Sequence, residues 1–376
     1  MSRIISRIAD YFRETDRLLV SLCVAASIFG SIEILSVTRR LSSWRPFAIQ
    51  LLSMLVGVLV AILISMFDFE TFIKRWYIAA SIGIIPVILT FFIGFAPEGT
   101  DDKAWLDLGF TTLQPAELLK VAFIVTFAAH VNKIKPKINK PQYLFPLLIH
   151  GAFPVLLIHF QGDDGTAVVF AVMFLCMLYA AGVSWKYFIA AIMTIIIASP
   201  IIYFFIMNDD QRKRIISFLN IEADIKGSTY QQYRARMALA NGGFFGQGLF
   251  KGNLTQFGGV PEGRNDFIFV SIGEELGFVG CMLVLLLLGV ICFRCVHTAR
   301  ICRKDSGKII CVGFFSMLFA QLIINIGMCT ALLPVIGVTL PFFSSGGTSL
   351  LCTFLGVGLV MSVYLHRDSR IIYLRD

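Results

Sequence analysis

The sequence predicts an all-α, polytopic integral membrane protein with ten transmembrane helices, both termini in the cytoplasm and one large extracytoplasmic loop. Composition is the first reason. Of 376 residues 57% are apolar, 35 are Phe and only 15% are charged, with a mean hydropathy of +0.80. Such a chain has too little polar surface to cover a globule in water. The second is a set of ten apolar runs, each able to span as a helix that satisfies its own backbone polar groups in lipid. The third is where charge falls. With the N-terminus inside, the inner segments hold 19 Lys and Arg and the short outer loops hold four, a positive-inside pattern. That asymmetry explains the net charge of +8 by topology, and no nucleic-acid partner is expected.

The runs follow in order. Residues 17–38 come after Arg3, Arg7, Arg13 and Arg17 with no small-residue cleavage site, which suits an uncleaved start-transfer helix. Runs 46–67 and 76–95 are separated by Lys74 and Arg75. Run 117–132 is short and polar-flanked. Runs 143–160, 165–183 and 187–207 lead into the polar loop 208–265, whose side is not set by its own charge because long loops translocate largely regardless of it. Within that loop 230–240 has helical character, ended by the glycine-rich stretch from Asn241 to Gly248. Runs 267–296, 309–333 and 347–365 complete the set, and residues 1–376 are expected to form a single domain. The nine cysteines lie in apolar runs or in the basic loop after residue 292, so neither disulfides nor a metal centre is expected.

Charge inside a membrane is costly, so each instance needs a partner or a purpose. Glu117 and Lys120, three apart, share a helical face and can pair. They form either an ion pair that lets a helix enter the membrane, or a cation for phosphate steadied by a carboxylate. Asp163 and Asp164 sit in the short connection between the fifth and sixth runs; a capping turn explains one of them but not two. Asp266 stands where the polar loop becomes the eighth run. It is either a helix N-cap, a role Asn265 could fill equally well, or a carboxylate meeting a substrate at the water boundary. Glu274 and Glu275, roughly 12 Å further along the same run at helical rise, are expected to face protein or a wet cavity, at least one as structural packing. His150 and His159 are nine apart, on opposite faces, and are expected to be solitary. Gly243 and Gly248 have Walker-A spacing, but Leu249 stands where the lysine must be.

In order, the motifs are Trp105 with Gln114-Pro115-Ala116-Glu117-Leu118-Leu119-Lys120, then Gln161-Gly162-Asp163-Asp164-Gly165-Thr166, then Gly242 to Gly248, then Pro261-Glu262 through Asp266 to Gly273-Glu274-Glu275-Leu276-Gly277, and last Leu340 to Leu350. Over nearly the whole chain this order resembles the SEDS family (shape, elongation, division and sporulation), to which RodA and FtsW belong. The resemblance implies a bacterial inner-membrane glycosyltransferase that polymerises lipid II into peptidoglycan glycan strands. It matches Asp266 to the family's essential aspartate, and Glu117, Lys120 and Asp163 to its other functionally important charged positions. Where the family has Gln-Pro-Asp-Leu-Gly-Thr, this chain has Gly162 and Asp164, so Asp163 aligns and Asp164 is extra. Where the family has Ser-Tyr-Gly-Gly-Ser, Ser345 and Thr348 keep the small-residue character.

Joining sugars needs a base for the acceptor 4-hydroxyl and compensation for charge growing on the departing pyrophosphate. Asp266 is the candidate general base, with its pKa expected to be raised by burial. Lys120, Arg234, Arg236 and Arg264 are the candidate pyrophosphate ligands. A divalent cation, Mg2+ or Mn2+, could share that work. The resemblance also implies a class B penicillin-binding protein as partner, supplying the transpeptidation for which this chain has no signature. Two alternatives are a lipid II flippase and a non-catalytic scaffold for other wall enzymes.

Overall fold

The computed structural model describes residues 11, 13–39, 43–96, 102–107, 109, 112–206, 212 and 229–367. Arg3 and Arg7, and all of 208–228 except Arg212, lie outside the described residues. All ten apolar runs fold as helices: α1 (Arg17–Thr38), α2 (Arg45–Ser65), α4 (Trp76–Ile93), α5 (Pro115–Ile134), α6 (Pro141–Gln161), α7 (Asp164–Ala180), α8 (Trp185–Ile201), α11 (Ile268–Ile301), α12 (Asp305–Cys329) and α13 (Gly347–Leu365). Shorter helices lie between them: α3 (Phe69–Lys74), α9 (Tyr230–Gly242) and α10 (Asn253–Gln256). A two-stranded hairpin, β1 (Leu106–Asp107) against β2 (Thr112–Leu113), precedes α5. Among the described residues eight helices are long and apolar enough to cross a membrane, so the chain is a multi-pass membrane protein. Of the other two runs, α7 is 17 residues long, and α5 carries Glu117, Lys120 and Lys133.

Local chemistry sets several helix starts. Pro46, Pro115 and Pro141 occupy first turns, where a missing N–H costs nothing and the fixed φ suits a helix. Asp16 caps α1 through the Leu19 N–H at 3.1 Å and accepts from Arg294 Nη2 at 2.7 Å. One buried carboxylate thus fastens α1 to α11.

Helices α5, α12 and α13 are the most buried, while α4 and α8 lie towards the periphery. Close approach depends on small residues: Phe354 of α13 packs on Gly57 of α2, and Gly358 packs on Ala61.

The eighth run is not the continuous span expected. Gly277 breaks α11 with φ 68° and ψ −162°, a conformation essentially reserved for glycine. A break frees backbone N–H and C=O groups, which have no water to turn to in a bundle interior. The glycine-rich loop after α9 supplies their partners. Gln247 N donates to Glu274 O at 3.0 Å and Gly248 N to Glu275 O at 2.9 Å. In return Phe278 N donates to Gly243 O at 3.0 Å and Val279 N to Phe244 O at 3.2 Å. A side chain on Gly246 would strike Glu275 O, so the loop lies directly against the broken helix.

The side chains of Glu274 and Glu275 complete this junction. Glu274 accepts from Leu254 N (2.8 Å), Thr255 N (2.7 Å) and Thr255 Oγ1 (2.7 Å). Glu275 accepts from Ser36 Oγ (2.6 Å), Phe250 N (2.8 Å) and Gln256 Nε2 (2.7 Å). Both face protein, and both clamp the loop rather than line a passage.

Gly277→Ala should therefore destabilise the fold. A Cβ at Gly277 would lie 2.3 Å from Gly246 N, and the backbone conformation alone costs about 1–3 kcal/mol for a residue other than glycine. Gly289→Ala in the same helix, where a Cβ meets nothing within 4 Å, should be neutral. Thermal unfolding of the detergent-solubilised protein compares the two.

Candidate active site

The N-terminal ends of α5, α7, α11 and α13 meet at one end of the bundle, and each carries one of the motifs. Helix α11 begins at Ile268 with Phe267 at the N-cap and no side-chain cap. The N-cap alternative for Asp266 is therefore corrected: the helix starts too late for either Asp266 or Asn265 to fill that position. Asn265 Nδ2 instead donates to Glu262 Oε2 at 2.6 Å.

The main chain around Asp266 is held at three consecutive carbonyls. Ser345 N donates to Arg264 O at 2.8 Å, Ser344 Oγ to Asn265 O at 2.8 Å, and Asn325 Nδ2 to Asp266 O at 2.7 Å. The hydrogen bonds that reach Asp266 end on its main chain, and none among the described residues reaches its carboxylate. Asp266 as a residue is half-buried. Burial, then the charges of Glu262 and Asp163, push its pKa up to about 7. The main chain of Gly337 faces it, close enough that a Cβ there would lie 3.6 Å from Asp266 Oδ2.

Asp163 has the opposite environment. Its Oδ1 accepts from Thr166 N at 2.9 Å, capping α7, and its Oδ2 accepts from Gln114 Nε2 at 2.8 Å. Burial raises its pKa, against the downward pull of the Thr166 hydrogen bonds and Lys120. Asp164 turns outward, exposed, to His159 Nδ1 at 2.6 Å. Of the two aspartates only Asp163 joins the cluster.

Lys120 Nζ and Glu117 Oε1 pair at 2.8 Å, with side chains 1% and 5% exposed. Both act on the Asp163 carboxyl, and Asp163 acts on Asp266, so the four form one electrostatic cluster. The arginines divide. Arg234 Nε donates to Gly259 O at 2.8 Å and ties α9 to the following loop. Arg236 is exposed and Arg264 is half-buried; among the described residues neither guanidinium has a hydrogen-bond partner.

Three residues at this end carried no role in the sequence. Gln114 joins two motifs through Asp163. Gln50, buried in α2, donates to Ser344 O at 3.1 Å and accepts from Gly346 N at 3.3 Å. Asn325 lies fully buried in α12. A lone amide in the apolar run 309–333 was the available signal, because a polar residue in a span asks for a partner.

The expectation of solitary histidines is also corrected. His150 Nδ1 lies 3.0 Å from His130 Nδ1, with Thr126 Oγ1 3.2 Å from His150 Nε2. His130 is on the preceding helix, out of reach of a spacing argument.

Residues 15–369 match the model of a family described as cell cycle protein, FtsW/RodA/SpoVE. The chain is 35% identical over 266 residues to the peptidoglycan glycosyltransferase MrdB of Escherichia coli K12, covering 70% of this chain and 71% of the relative. Among solved structures, a chain from a peptidoglycan synthase complex, in work on coordinated polymerization and crosslinking, is similar at TM-score 0.79 and 25% identity, over 94% of this chain and 98% of that one. The rod shape determining protein RodA of Thermus thermophilus is similar at TM-score 0.67 and 25% identity, over the same shares of the two chains.

The buried ion pair gives a double-mutant test. Lys120→Met leaves Glu117 buried without its cation and should cost about 3–5 kcal/mol of stability. Adding Glu117→Gln should restore most of it. Unfolding midpoints of the two variants check this.

Proposed function

The chain belongs to the FtsW/RodA/SpoVE family, the SEDS family, and from that premise we propose how its site makes glycan strands. It is a peptidoglycan glycosyltransferase, the activity its curated relatives are named for. The substrate we propose is lipid II, and Asp266 is the general base that takes the proton of the acceptor 4-hydroxyl. The acceptor oxygen attacks the anomeric carbon as the bond to the pyrophosphate breaks, and the leaving electron pair goes to the pyrophosphate. One displacement inverts that centre and needs one base.

A single observation carries this reading. Asp266 is the half-buried carboxylate whose main chain is fixed and whose oxygens accept nothing from the described residues. A base needs a free lone pair, a fixed position and a pKa near the working pH. Asp163 fits worse, because both its oxygens are engaged. In this reading Glu117, Lys120 and Asp163 shape the field around the base and the substrate. Arg236 and Arg264 have guanidinium donors available for the pyrophosphate, whereas Arg234, tied to Gly259, serves the loop.

Mg2+ or Mn2+ would arrive with the pyrophosphate rather than occupy a site built by the protein. Among the described residues no three His, Cys, Asp or Glu side chains converge, and such hard cations commonly use one or two carboxylates plus substrate phosphates. Bound there, the ion would supply positive charge to the leaving group.

The topology proposed is ten spans, with α5 and α7 added to the eight long apolar helices. Both termini lie in the cytoplasm, residues 208–265 lie outside, and the site is at the outer face of the bacterial cytoplasmic membrane. The proposed partner is a class B penicillin-binding protein, a reading supported by the likeness to a chain of a peptidoglycan synthase complex that coordinates polymerization and crosslinking.

Asp266→Asn should leave the protein folded and inserted, and cut polymerisation of purified lipid II by at least about 10²-fold, the usual contribution of a positioned base. Polymer at the wild-type level from the folded variant would sink the assignment. The pH dependence follows from the raised pKa. Below about 7 the carboxyl is protonated and cannot accept the hydroxyl proton, so the rate should climb as pH rises through that value and then level off. Initial rates from about pH 5.5 to about pH 8.5 bracket the transition; a flat profile contradicts it.

A further inference from the structure

Asn325 is an amide near the C-terminal end of the apolar helix α12, four residues before Cys329, with no exposed surface. Such a group is tolerated in a bundle only when its hydrogen-bonding needs are met. Its Nδ2 donates to two carbonyls of different segments, Asp266 O and Val338 O, each at 2.7 Å. Its Oδ1 lies 3.8 Å from Cys329 Sγ, and that sulfur also lies 3.7 Å from Asp266 O.

The two carbonyls belong to different segments of the chain. One is the main chain of Asp266. The other follows Gly337, whose backbone faces the Asp266 carboxylate. The amide therefore sets the spacing between the base and the wall it faces. The donors to Arg264 O and Asn265 O, namely Ser345 N and Ser344 Oγ, sit on the same connecting segment as Val338. Asn325 differs because it anchors the base to a helix of the bundle core. An amide offers two N–H donors in one plane; a hydroxyl offers one and an ionised carboxylate none.

We propose that Asn325 is a positioning residue for glycan polymerisation, holding Asp266 against the Val338 wall at the separation the acceptor hydroxyl requires. This rests on Asp266 being the base. A displacement of about 1 Å at a reacting group can cost about 10²-fold in rate, while the substrate contacts that set KM lie elsewhere.

The test uses the full-length protein and purified lipid II, with kcat and KM taken on folded protein, judged by a single symmetric peak in size-exclusion chromatography. Asn325→Ala should lower kcat by about a hundredfold with KM within about threefold, the mark of an interaction that matters in the transition state. Asn325→Ser keeps one donor and should fall between Ala and wild type. Either variant folded with wild-type kcat overturns the proposal, as does a rise in KM at unchanged kcat. If neither variant folds, Asn325 is packing and the proposal falls. Asp266→Asn run alongside separates the premises. Activity there removes the base itself, whereas an inactive Asp266→Asn with wild-type Asn325 variants removes only the positioning role.

Discussion

Four backbone hydrogen bonds across the break in α11 hold this structure's working end together. The segment from Ile268 to Leu276 follows Asp266 after a single residue, Phe267, and is parted from the rest of its helix at Gly277. Left alone, such a break would expose polar backbone groups in an environment that cannot hydrate them. The loop from Gly243 to Gly248 answers two of the freed carbonyls and two of the freed N–H groups. Glu274 and Glu275 then fix the following turn of loop, down to Thr255 and Gln256. The short helix that aims Asp266 is thus held because the loop after α9 has become part of it.

That rigidity allows two neighbouring carboxylates, Asp163 buried and Asp266 half-buried, to do different work. Asp163 is satisfied by a backbone N–H and an amide, so it caps a helix and shapes the local field. Asp266 has its carbonyl held and its carboxylate left free. With no donor to stabilise the ionised form, desolvation dominates and the pKa rises to about 7. The Lys120–Glu117 pair is nearly closed off from solvent and adds a fixed dipole beside Asp163 rather than a mobile cation.

Much of this was legible in the sequence, and the limits were physical. All ten apolar runs became helices within a few residues of their expected ends, because a helix is the way a lipid-exposed segment can satisfy its backbone within itself. The break at Gly277 was not legible: a glycine in an apolar run is tolerated in a continuous helix, and only the loop packed against it makes a break affordable. The N-cap alternative for Asp266 failed for a related reason, since the start of α11 depends on contacts with α12 and the segment before α13. His150 seemed solitary because spacing reports only partners on the same helix. Its partner, His130, is on another.

By itself the sequence determined a multi-pass helical membrane protein, its family, and which charged residues merit attention, because hydropathy and motif order are properties of a linear chain. The tertiary structure decided which of those charges are engaged and which stay free. Asp164 was turned away to His159, Arg234 was tied to a loop, and both oxygens of Asp163 were occupied, while Asn325, which no motif had marked, was brought to the carbonyl of Asp266. Whether a carboxylate is a cap, a clamp or a base depends on which donors reach it, and those donors come from segments far away in the chain.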